Sequence, residues 1–252
     1  MKSLSHYIQE KLIIKKNKAT NYKYFPQSKE ELKAIIETRI ENEGNKVDLN
    51  DIDTSKITDM SYLFDKTDFN GDISHWDVSN VKDMNSMFYK CESFNKDISN
   101  WDVSNVTNMR YMFFECANFN QDISYWDVSN VTNMSCMFRW CLLFNKDISS
   151  WNVSNVINMI GMFYNSKSFN QDISSWNVSN VTNMANMFYG CDKFNKDISK
   201  WNVSNVTNMG DMFAFCTSFN QDISSWDVSK VKNNKFVFYN CPIKEKYKPK
   251  FV

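Results

Sequence analysis

The chain has 252 residues, sets 29 lysines and arginines against 29 aspartates and glutamates, and contains only five glycines and three prolines. Without net charge it has no global field to draw in nucleic acid or an acidic membrane, so binding by bulk charge is not expected. Asparagine, serine, methionine and phenylalanine are abundant, a composition that suits turns held by side-chain-to-backbone hydrogen bonds and argues against disorder.

Residues 1–20 come first. Leu4, Tyr7, Ile8 and Leu12 stand at helical spacing, followed by Lys15, Lys16 and Lys18, which predicts a short amphipathic helix with a basic end. It reads as an extra cap or as a docking peptide for a partner or a membrane surface. The stretch has no apolar run long enough for a secretory signal, and nowhere does the sequence approach a membrane span. The expectation is therefore a soluble chain, cytoplasmic or in a virion.

Over residues 21–46 the sequence predicts a helical cap. Ser28 and Glu31 make a capping-box pattern, Leu32, Ile35, Ile36 and Ile40 share one face, and Gly44 stands where the helix should close.

Residues 47–241 are a repeat. Trp76, Trp101, Trp126, Trp151, Trp176, Trp201 and Trp226 recur every 25 residues without an insertion, the signature of one supersecondary unit copied along a line. A degenerate first copy begins near Val47, making about eight. In the copy from Phe94, residues Val106, Met109, Met112, Phe113, Cys116 and Phe119 fall at steps of three and four, a helical stripe. Ile98, Trp101 and Val103 suggest a short extended segment before it. The predicted fold is therefore an α/β solenoid, leucine-rich-repeat-like, in which each coil is a short parallel strand plus a helical arm. Residues 242–252 lack the period and read as a tail blunting the exposed edge.

The unit FNxDISxWDVSNVTNMxxMFxxC, recurring in register, resembles the BspA-like family of leucine-rich-repeat surface proteins, the 25-residue type known as a domain of unknown function. That resemblance spans about residues 47–241. It implies a leucine-rich-repeat-like solenoid and adhesion or recognition at a cell surface. The chain departs from the pattern in lacking an export signal and in carrying residues 1–20.

Positions constant among the copies should serve the fold. The column Asp72, Asp97, Asp122, Asp147, Asp172, Asp197 and Asp222 would be self-repelling by roughly 1 kcal/mol per neighbouring pair, and backbone N–H groups or serine hydroxyls are the expected compensation. A calcium strip is the sharper alternative, disfavoured because calcium needs about six to eight converging oxygens. The Asn95 and Asn108 columns should tie one coil to the next. Six cysteines, Cys91, Cys116, Cys141, Cys191, Cys216 and Cys241, share one place, with Ser166 in the seventh; they read as buried, reduced core residues, with some disulfide pairing the alternative. Asn105-Val-Thr107 and its equivalents match a glycosylation pattern, but the turn itself explains those residues.

No catalytic motif, metal site or cofactor site is found. The two histidines, His6 and His75, lack plausible partners, and a catalytic pair should break the repeat rather than obey it. Function is expected where copies differ, around the Met-Phe of each arm. Arg139, Trp140, Leu142 and Leu143 gather in one copy, flanked by Tyr111, Phe114, Ile160 and Tyr164, the composition of a protein-binding hot spot. The competing reading is that these residues pack on one another, and a self-association patch would look the same. The function expected is non-catalytic recognition or adhesion, binding a protein or polymeric surface ligand; the alternative is a structural component of a larger assembly docked through residues 1–20.

Overall fold

The computed structural model describes residues 22–251. Regular secondary structure among them is confined to one α-helix, α1 (Lys29–Glu43), and one turn of 3-10 helix (Glu245–Tyr247).

Helix α1 forms for the reasons its sequence suggests. Ser28, in an extended conformation, accepts the Glu31 N–H on its side chain, while the Glu31 carboxylate accepts the N–H of Gln27. At the other end Gly44, at φ +85°, turns its N–H back to the Ile40 carbonyl. Leu32 and Ile36 are buried in the same core as the first repeat, with Ile35 and Ile40 half-covered. The helix is also tied by charge: Lys29 Nζ reaches Asp59 Oδ2 at 2.8 Å and Arg39 reaches Asp51 Oδ1 at 2.9 Å. Ahead of it, Tyr24 forms a parallel bridge with Ile52.

The α/β, leucine-rich-repeat-like solenoid predicted above is not what the repeats form. Between α1 and the 3-10 turn the described residues contain no helical arm, no strand of more than one bridged residue and no sheet. Each repeat is a rung of consecutive tight turns. In the third copy Met112 donates to the Met109 carbonyl, Phe114 to Tyr111, Cys116 to Phe113 and Phe119 to Cys116. Turns closed every three residues or so place apolar side chains on one side as a helix does, which is why the spacing misleads. An α-helix would need every N–H to return to a carbonyl four residues back. Here the alternate N–H groups, of Met109, Tyr111, Phe113 and Glu115, instead cross to carbonyls of the next repeat. Tyr111 and Glu115 sit at φ +55° and +58°, a conformation no right-handed helix contains. The expected strand fails likewise: Trp101 donates to Ile98 and Val106 to Val103, so this segment too is two turns.

What does stack, in parallel and in register, is the repeat itself. Single-residue bridges link Asp83, Asn108, Asn133, Asn158, Asn183, Asn208 and Asn233 in one line. Phe64, Phe88, Phe113, Phe138, Phe163, Phe188, Phe213 and Phe238 form a continuous ladder of parallel rings, with neighbouring centroids 5.4–5.8 Å apart. A second ladder from Phe69 to Phe219 packs against it, as in Phe88–Phe94 at 3.9 Å. The tryptophans line the same core, each indole N–H donating to a carbonyl of the preceding repeat, as Trp126 does to Ile98 at 3.1 Å. At the C-terminus the tail folds back, burying Ile243 and receiving the Ile223 N–H on the Tyr247 carbonyl.

Candidate functional site

The constant columns are consumed by the fold. Each aspartate of the Asp72 column accepts the N–H of the serine two residues on, from Ser74 through Ser99, Ser124, Ser149, Ser174 and Ser199 to Ser224. At Asp172 the Ser174 N–H and hydroxyl hold the carboxyl below its usual range. The Asn95 column accepts backbone N–H groups of the following repeat, as from Asn120 at 2.9 Å. Asn105 spends its amide on the Ser79 carbonyl, which accounts for the asparagine of the glycosylation-like triplet. All seven cysteines are free thiols. Cys116, Cys141, Cys191 and Cys216 donate to phenylalanine carbonyls of the preceding repeat, and Ser166 does the same to Phe138. Burial pushes these thiols well above their ordinary values. Among the described residues no three His, Cys, Asp or Glu side chains are placed to hold a metal, and no helix is long and apolar enough to cross a membrane.

The variable positions behave differently. The residue directly after each Met-Phe pair, or after the Leu63-Phe64 and Val237-Phe238 that replace it in the first and last copies, belongs to one column on the turn face: Asp65, Tyr89, Phe114, Arg139, Tyr164, Tyr189, Ala214 and Tyr239. Tyr89 stacks on Phe114 at 4.6 Å and Tyr164 on Tyr189 at 4.4 Å. Between the two pairs lies the Arg139 guanidinium, 3.8 Å from the Tyr164 ring centroid and 5.7 Å from that of Phe114. It forms no ion pair among the described residues, and its Nε is buried without a hydrogen-bond partner. Phe215 continues the line where Ala214 interrupts it, 5.2 Å from Tyr189 and 5.3 Å from Tyr239.

A groove of about 580 Å³ opens beside this column, lined by Tyr62, Asp65, Lys66, Ser86, Tyr89, Tyr111, Phe114, Cys136 and Arg139. Asp65 Oδ1, the other buried side-chain polar atom without a partner among the described residues, belongs to its lining. Three of the residues expected from sequence, Tyr111, Phe114 and Arg139, line the groove. Tyr164 closes over Arg139 from behind, and Trp140 tilts against Tyr164 at 6.3 Å, still 38% exposed. Ile160 is half-buried and its carbonyl accepts the Cys136 N–H. Leu142 is half-buried and Leu143 is 51% exposed; neither lines the groove. The docking residues Leu4, Tyr7, Ile8 and Leu12 lie outside the described residues. Sequence reasoning missed Tyr62, Asp65, Lys66, Ser86, Tyr89 and Cys136. For Asp65 and Tyr89 the signal was there, since both hold the column position of Phe114 and Arg139. Burial raises the Cys136 thiol pKa even though Arg139 pulls the other way.

Comparison with known proteins adds a family. The family described as Mycoplasma protein of unknown function, DUF285, matches residues 32–145, 97–190 and 171–247 in overlapping blocks. The chain belongs to this family. No curated protein and no solved structure matches it. The DUF285 blocks take in the repeats together with all of α1 but its first three residues, so the groove and the whole aromatic column fall within the family's extent. The DUF285 chain is thus a repeat protein of a family without an assigned activity.

Proposed function

We propose that the chain is a non-catalytic recognition protein that binds a protein or polymeric surface ligand through the groove on its turn face. The observation that carries this reading is Arg139. Tyr164 stacks on its guanidinium, Phe114 lies 5.7 Å away on the neighbouring repeat, and its Nε is buried without a partner beside the groove. A donor in that state gains more from a ligand oxygen than a solvated one does. The rings favour a protein ligand over a sugar. Phe114 has one face on Tyr89 and the other toward Arg139, and Tyr164 is similarly enclosed. Such rings offer their electropositive edges to a ligand, which suits carbonyl and carboxylate oxygens rather than stacking on a sugar ring. The motif's likeness to BspA-like surface proteins supports adhesion as the setting.

The test is capture from the native source with the full chain, Arg139→Ala and Trp140→Ala, each checked to be folded and to unfold cooperatively. Loss of a captured component with Arg139→Ala supports the groove. Undiminished capture by both variants removes it from the function, and concentration-dependent sedimentation abolished by the same variants would instead make it a self-association patch.

A further inference from the structure

On the turn face every interior boundary between repeats is built alike. Met84, Ser86, Phe88 and Lys90 donate their N–H groups to the carbonyls of Asn108, Arg110, Met112 and Phe114, and the pattern repeats up to Met209, Asp211, Phe213 and Phe215, which donate to Asn233, Lys235, Val237 and Tyr239. All of these bonds point the same way along the stack. The eighth repeat therefore ends in a row of donors, the N–H groups of Asn234, Phe236, Phe238 and Asn240, for which no acceptor exists among the described residues. The carbonyls of Phe236 and Phe238 are already used by Tyr239 and Cys241. The edge is thus homopolar, unlike a strand edge on which donors and acceptors alternate. Phe236 and Asn240, at φ +55° and +52°, give it the alternating backbone that gathers N–H groups into an anion-binding strip.

The two ends of the stack are finished differently. At the first repeat α1 covers the edge and brings cations to it: Lys33 Nζ contacts the Tyr62 carbonyl at 3.3 Å and Lys29 Nζ contacts Ser61 Oγ at 2.9 Å. At the eighth, the tail accepts the Ile223 N–H and lays Lys248 over the Phe238 ring, and no described carbonyl reaches the donor row. The residues around it add positive charge instead of neutralising it. Residues 230–241 carry Lys230, Lys232 and Lys235 and no acidic residue, and Lys248 of the tail lies 5.7 Å from the Phe238 ring centroid. Phe236 and Tyr239, 65% and 52% exposed, stand beside the donors. It is here that the repeat breaks its own rule, with Asn234 and Lys235 at a position where the other copies carry methionine and a small or variable residue.

We propose that this edge binds an acidic peptide segment of a partner protein. The interior boundaries show what satisfies such a row: carbonyls from every second residue of a neighbouring chain segment, which a peptide supplies when it takes up the same turn backbone as the rung it docks on. The lysines select acidic side chains on that segment, and the two exposed rings provide apolar contact. A second copy stacked head to tail is opposed by α1, which occupies the complementary end.

The experiment uses the full chain, isotopically labelled, with an Asp/Glu-rich peptide about ten residues long, enough to span the row, and its Asn/Gln counterpart as control. The acidic peptide should bind at least about tenfold more tightly than the control, an advantage that shrinks with salt. Amide exchange at Asn234, Phe236, Phe238 and Asn240 should slow by about tenfold or more on binding. Combined Lys232→Glu, Lys235→Glu and Lys244→Glu, all exposed side chains, should abolish the preference, while Arg139→Ala should leave it intact. Binding without protection of those four amides overturns the proposal, as does no preference for the acidic peptide. Tighter binding to anionic vesicles or to a polynucleotide than to the peptide overturns it too.

Discussion

The guanidinium of Arg139 lies 3.8 Å from the ring centroid of Tyr164, occupying in its repeat the place that Phe114 and Tyr164 hold in theirs. A planar cation thus substitutes for an aromatic ring in a stacked column, which works because the guanidinium is flat and weakly hydrated. Arg139→Ala should destabilise the chain by about 1–2 kcal/mol in urea unfolding, and Arg139→Lys by nearly as much, since an ammonium does not stack. The same change reports on Cys136. Burial raises that thiol and Arg139 opposes the rise, so removing the cation should raise it further and slow alkylation at fixed pH. An alkylation profile unmoved by Arg139→Leu would show that the two groups do not communicate.

Cys91 makes stability depend on alkaline pH. Burial pushes its thiol up to about 12 from an ordinary value of 9.0. The folded chain favours the neutral thiol, so the stabilisation is complete below the unfolded value and is lost as pH rises from about 9 toward 12. Between pH 8 and pH 10.5 wild type should lose about 2 kcal/mol more than Cys91→Ala, measured by urea unfolding at each pH. Equal losses in the two proteins would mean the thiol ionises freely in the fold.

The aspartate column should tolerate amides but not alanine. Asp172 works by accepting the Ser174 N–H at 2.9 Å; an amide oxygen accepts the same N–H more weakly, but without the charge it also relieves repulsion along the column. Asp172→Asn should therefore be close to neutral, whereas Asp172→Ala should cost about 0.5–1 kcal/mol, modest because the group is exposed. Because the folded carboxyl lies below its ordinary value of 3.8, its contribution is present above that pH and is lost as pH falls through the folded value. Thermal unfolding at pH 7 and pH 3 checks both statements.

Backbone conformation gives opposite signs at equivalent places. Lys90 and Gly190 occupy the second position after Met-Phe in their repeats, at φ +59° and +64°. Lys90→Gly relieves a left-handed conformation that costs about 1–2 kcal/mol, partly offset by glycine's greater freedom when unfolded, and should be neutral to stabilising by about 1 kcal/mol. Gly190→Ala adds that strain and drives its Cβ into the Asn165 side-chain amide. Chemical denaturation should show it destabilised by about 2 kcal/mol or more. A Gly190→Ala chain as stable as wild type would contradict the backbone described here.

Several features were legible in the residues themselves. The cap was, because Ser28, Glu31 and Gly44 act within a single helix, where sequence distance and spatial distance coincide. The core columns were too, since a strict 25-residue period puts Phe113 over Phe88 and Trp126 over Trp101 whatever the local conformation. The helical arm was misjudged because Val106, Met109, Met112 and Phe113 satisfy a chain of three-residue turns as well as they satisfy a helix. Nothing about Tyr111 or Glu115 as residue types announces a positive φ; glycine and asparagine stand at equivalent places only in some copies, as Gly161 and Asn186.

By itself the sequence determined the repeat, its step, the identity of the buried columns and the roles of Asp172, Asn120 and Ser166, because each follows from side-chain chemistry repeated at fixed intervals. Only the tertiary structure decided that the rungs are turns rather than strand and helix. That choice rests on where alternate N–H groups find their acceptors, and those acceptors lie 24 residues away on a neighbouring rung, as from Phe88 to Met112. The same long-range pairing places Arg139 between two rings and leaves the last repeat with a row of donors, since a residue's neighbours across the stack are fixed by the register of whole repeats and not by the residues beside it in the chain.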